Sequence, residues 1–68
     1  MPWTQDDLSR AEEHIKQALQ YIQSQERRVH EIQLEGRSTR DAEELLKSLR
    51  QTLVLLVRHK TLIERDLE

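Results

Sequence analysis

The chain has no cysteine, no phenylalanine, one glycine and one proline among its 68 residues. Without cysteine there is no disulfide staple, no thiolate metal site and no thiol nucleophile. One Trp, one Tyr and no Phe exclude a thick aromatic interior. The scarcity of Gly and Pro leaves almost no loop material and no glycine-rich phosphate loop. The longest apolar run, Leu53-Val54-Leu55-Leu56-Val57, is far too short to cross a bilayer. Neither sign of charge dominates. Eleven Lys and Arg stand against thirteen Asp and Glu, so no global field draws in nucleic acid or an anionic membrane. Met1 to Arg10 is polar and acidic, which is not a secretory leader. The expectation is a cytoplasmic protein.

What the chain does have is periodicity. Leu8, Ala11, Ile15, Ala18, Ile22, Gln25, Val29 and Ile32 step by alternating threes and fours. So do Ala42, Leu46, Leu49, Leu53, Leu56, Lys60, Ile63 and Leu67. Each row is the seam of an amphipathic helix. Charged residues make up 35% of the chain, enough to raise disorder as an alternative, but the apolar residues are periodic rather than sparse. Folded back at Gly36, the two rows match antiparallel in one register. Ile32 meets Ala42, Val29 meets Leu46, Gln25 meets Leu49 and Ile22 meets Leu53. Ala18 then meets Leu56, Ile15 meets Lys60, Ala11 meets Ile63 and Leu8 meets Leu67. The predicted fold is all-α, an antiparallel two-helix hairpin resembling a coiled coil, in one domain spanning 1–68.

The boundaries follow from capping chemistry. Thr4 is the expected N-cap of the first helix, with Asp7 completing a capping box and Trp3 and Leu8 at hydrophobic-staple spacing. Gly36 is the expected stop, in a left-handed conformation. Ser38 opens the second helix, with Asp41 three residues on. These signals predict a first helix over 5–35, a turn over 36–38 and a second helix over 39–67. Each helix is then about 45 Å long.

One seam is a thin core for a chain with no staple. Apolar residues also lie beside it. Leu19, Val54 and Val57 fall on one flank, and Tyr21, Leu45, Leu55 and Leu62 on the other. A helix segment that is apolar all round must be covered all round. The expectation is a homodimer that closes into a four-helix bundle, the commonest closed symmetry being two-fold. The alternative occupant of those flanks is a helix of another protein.

The polar seam residues have ordinary explanations. Lys60 is expected to lay its stem on Ile15 and point its ammonium outward. Gln25, mid-helix, needs a hydrogen-bond partner such as Thr52, Arg28 or a second copy, and would oppose slipped pairings. His14 and His59 fall on one flank and could form a two-ligand metal or pH-sensitive contact. Two ligands make a poor zinc site, so boundary residues are the better reading. Arg27, Arg28, Arg37 and Arg40 cluster near the turn and are candidate nucleic-acid contacts. Interleaved glutamates and the lack of stacking aromatics there favour a solvated, ion-paired surface. Glu26 is expected to pair with Arg50 across the seam.

Several stretches also carry a family resemblance: Leu8, Ala11-Glu12-Glu13-His14-Ile15, Leu34-Glu35-Gly36, Ser38-Thr39, Ala42, Leu45-Leu46, Thr52-Leu53, Leu55 to His59 and Leu62-Ile63. In these the chain resembles a group of short, uncharacterised helical-hairpin proteins of alpha-proteobacterial genomes. The resemblance implies a natural bacterial hairpin and supplies no catalytic residue, cofactor or partner.

No Ser-His-Asp pattern, phosphate loop or concave scaffold points to catalysis. The expectation is a non-enzymatic, oligomeric helical protein that acts as an adaptor or regulator of other proteins. It requires no metal, cofactor or small-molecule substrate and makes no membrane contact. A nucleic-acid-binding hairpin dimer using the four arginines is the alternative.

Overall fold

The computed structural model describes residues 3–68. Two helices, α1 (Gln5–Leu34) and α2 (Arg40–Leu67), pack antiparallel into a rod of 51 × 14 × 12 Å. α1 starts where the capping box dictates. Thr4 is in extended conformation, and its hydroxyl oxygen accepts the Asp7 backbone N–H at 3.2 Å. The Asp7 carboxylate in turn accepts the Thr4 backbone N–H at 2.9 Å and the Thr4 hydroxyl at 3.0 Å. Those bonds, the backbone one first, hold the Asp7 carboxyl below the ordinary aspartate range.

A depressed carboxyl binds its proton less readily folded than unfolded. Its stabilising contribution is present above the ordinary value of about 3.9 and is lost as pH falls through the folded value. Melting curves of an Asp7→Asn variant should therefore lie below the parent at pH 7, and the gap should narrow as pH falls below the ordinary aspartate value.

Every seam residue expected from the heptads is buried or half-buried. Ile22, Val29 and Leu46 form a buried cluster, with Ala42, Leu49 and Leu53 packed against it. Toward the open pole Ala11 and Ala18 are buried, and Ile63 is fully enclosed. α1 ends in a Schellman motif. Gly36, at φ +70°, donates to the Gln33 carbonyl at 3.0 Å, and Arg37 donates to the Ile32 carbonyl at 3.2 Å.

The connection is longer than expected, covering 35–39 rather than 36–38: α1 ends at Leu34 with Glu35 as its C-cap, and Thr39, not Ser38, is the N-cap of α2. Thr39 has φ −95° and ψ 2°, outside the extended region that aims a capping hydroxyl, and makes no side-chain cap. Ser38 contributes only a long bond, its hydroxyl oxygen accepting the Arg40 N–H at 3.4 Å.

The register also differs from the even pairing drawn from sequence. The Gln25 amide donates to the Ala42 carbonyl at 2.9 Å, not to Thr52 or Arg28. Ala42 lies seven residues, about 10 Å of helix, from Leu49, further than a glutamine side chain spans. Gln25 therefore sits beside the Ala42–Leu46 turn, half a heptad nearer the loop than expected. The methyl side chain of Ala42 leaves its carbonyl open to that approach. Glu26 and Arg50 do pair, at 3.0 Å, since both side chains tilt toward their own N-termini and so toward each other. Lys60 is half-buried and its ammonium lies 3.8 Å from the Glu12 carboxylate, at the rim of the seam. Both ion pairs are solvated and each contributes below about 1 kcal/mol.

Candidate functional site

The seam uses one face of each helix and leaves apolar side chains on both flanks uncovered. All seven residues expected there are exposed: Leu19, Tyr21, Leu45, Val54, Leu55, Val57 and Leu62. Five belong to α2, where Leu55 retains 63% and Leu62 57% of full exposure. Isolated surface leucines are ordinary, whereas a row of them along one helix is not. Leu34 is also exposed, at the end of α1, and lies outside the flanking rows from which the others were found.

Two shallow grooves run beside these side chains. Beside Val54 a shallow groove of about 490 Å³ has a floor of Val29 and Leu46 and a rim that includes Glu43, Lys47 and Arg50. A second groove of about 360 Å³ runs along α2 between Val57 and Leu62, edged by Arg58 and Arg65. Two threonines on α2 turn their hydroxyls inward. Thr52 donates to the Ser48 carbonyl at 3.1 Å and Thr61 to the Val57 carbonyl at 3.0 Å. Each hydroxyl is satisfied within its own helix, so what these residues add to the surface is largely methyl.

At the open pole the chain leading into α1 is tied to the end of α2. The Trp3 backbone N–H donates to the Asp66 carboxylate at 2.7 Å. The Trp3 indole meets the His59 imidazole edge-to-face, with centroids 5.1 Å apart. His59, considered with His14 as a metal or pH contact, thus has Trp3 as its aromatic partner. Sequence reasoning missed this contact because Trp3 precedes the first heptad. Among the described residues no three His, Cys, Asp or Glu side chains converge as a metal site.

Of the four arginines near the turn, two are engaged by neighbouring glutamates. Arg37 pairs with Glu35 at 3.0 Å and Arg28 with Glu31 at 4.0 Å. Arg27 and Arg40 are exposed. The cluster is divided by its own carboxylates rather than gathered into one cationic patch.

No helix among the described residues is long and apolar enough to cross a membrane. Comparison with protein families, curated proteins and solved structures finds no match to this chain.

Proposed function

We propose that this chain is a non-enzymatic helical interaction module that associates with itself. Two hairpins form an antiparallel four-helix bundle, and the helical surface left outside the bundle serves as an adaptor or regulatory face for another protein. One observation carries this reading: the rows of exposed apolar side chains on α2, with Leu45, Val54, Leu55, Val57 and Leu62 all half or nearly half exposed. A single seam encloses little apolar surface, and chains of this size usually add a staple, a metal or a second copy. Cysteine is absent from the sequence.

Sedimentation velocity at micromolar concentration tests the proposal. A species of two chains is expected, with a melting midpoint that rises with protein concentration, as mass action requires of a folded dimer. A single-chain species with a concentration-independent melt would overturn it.

A further inference from the structure

The self-association reading leaves open which surface of the hairpin meets the second copy. We infer that the two copies meet along one stripe of α2, with the two α2 helices antiparallel about a dyad between Leu53 and Val54. The inference rests on the self-association reading and specifies its geometry.

The stripe runs Leu45, Ser48, Thr52, Leu55, His59, Leu62. It steps by threes and fours and is displaced about a quarter turn from the seam that packs on α1. All six residues are exposed. The stripe carries no Asp, Glu, Lys or Arg. The Thr52 hydroxyl is already held by the Ser48 carbonyl, so Thr52 offers its methyl group to a neighbour. Trp3, packed on His59, extends the apolar border at the open pole.

The row is complementary to itself. Laid antiparallel about that dyad, Leu45 faces Leu62 of the second copy. Ser48 then faces His59, and Thr52 faces Leu55. Matched three- and four-residue steps keep each layer level. The charges bordering the stripe agree with this setting. Glu44 comes beside Arg65 of the second copy and Gln51 beside Arg58, each twice by symmetry. Sliding one heptad in one direction brings Arg58 against its own symmetry mate. Sliding in the other leaves Leu62 facing Ser38 in the loop. Asp41 and Asp66, next along the same row, approach at like charge and end the dry contact beyond the leucines. The opposite flank is a poorer candidate. There Val54 and Val57 share their row with Glu43, Lys47 and Arg50, and Arg50 is already engaged by Glu26.

Sedimentation equilibrium on four variants tests the geometry, with circular dichroism confirming that each remains helical. Leu55→Asp is expected to weaken the dimer about a hundredfold or more, as loss of a central anchor does. Glu44→Arg and Arg65→Glu each turn two attractive contacts into repulsive ones, and each should weaken it about tenfold. The double reversal, Glu44→Arg with Arg65→Glu, restores opposite charges across the dyad and should return the dissociation constant to near that of the parent. That recovery also guards against loss through misfolding. A parent that sediments as one chain overturns self-association itself. A dimer that survives Leu55→Asp but yields to Val54→Asp overturns the stripe and leaves self-association standing. Two single reversals that weaken the dimer without recovery in the double overturn the register.

Discussion

Ile63→Ala is expected to lower the unfolding free energy by about 2–5 kcal/mol, as removal of a buried isoleucine side chain generally does. Ile63 is the one large side chain among the described residues with no exposed surface. It lies on the second-to-last step of the α2 seam, where α1 begins. Its loss leaves a void in the seam. A 68-residue domain has roughly 3–10 kcal/mol of total stability, so one such change removes a large part of it. The neighbouring Leu62→Ala, on the exposed flank, supplies the contrast. It should barely alter the stability of a single hairpin while weakening association. Urea unfolding over a range of protein concentrations, followed by helical ellipticity, separates the two, because the Leu62→Ala loss should vanish on dilution to single chains and the Ile63→Ala loss should persist. Equal losses for both variants would mean that the seam is not the main source of stability.

Substitutions at Gly36 are expected to rank by backbone preference alone. At φ +70° an L side chain is strained, yet a Cβ placed there meets nothing within 4 Å. The cost is therefore conformational and not steric. Gly36→Ala should destabilise the hairpin by about 1–2 kcal/mol. Gly36→Asn should cost less, because asparagine enters the left-handed region more readily, and Gly36→Val more, because a β-branched residue resists it. Thermal melts of the three variants test the order. If alanine and asparagine were equal to glycine, the two bonds that close α1 would have to form some other way.

Much of this architecture is legible in the order of the residues. The seam is read correctly at every step because a heptad row that must be dry on one side leaves a period-3.5 trace. The capping box and Gly36 are legible because caps require particular side chains at fixed offsets. The register is not fully legible. A row of evenly stepped apolar residues fits its partner at settings half a heptad apart with nearly equal burial. The Gln25 amide reaching the Ala42 carbonyl marks the observed setting, and a carbonyl has no sequence signature. The start of α2 is missed for a related reason. Ser38 and Thr39 are both competent caps, and backbone angles set by the Schellman turn decide which residue precedes the helix. The exposed flanks were found from spacing alone. The Trp3–His59 contact was not, because it joins a residue outside any repeat to one within it.

The bond from Trp3 to Asp66 sets the entry to α1 and the far end of α2, the extremities of the helix pair, side by side at one pole, with the loop some 50 Å away along the rod. A pulling force applied at those extremities acts across the helix pair rather than along it. It opens the indole clasp first and then parts the layers one after another toward Gly36, like a zipper. Mechanical resistance in that direction should be low and spread over many small steps. The same force applied between the pole and the loop end of the opposite helix would load every layer together. A tether attached at the clasp is thus a gentle handle, and one attached across the length of the rod is a stiff one.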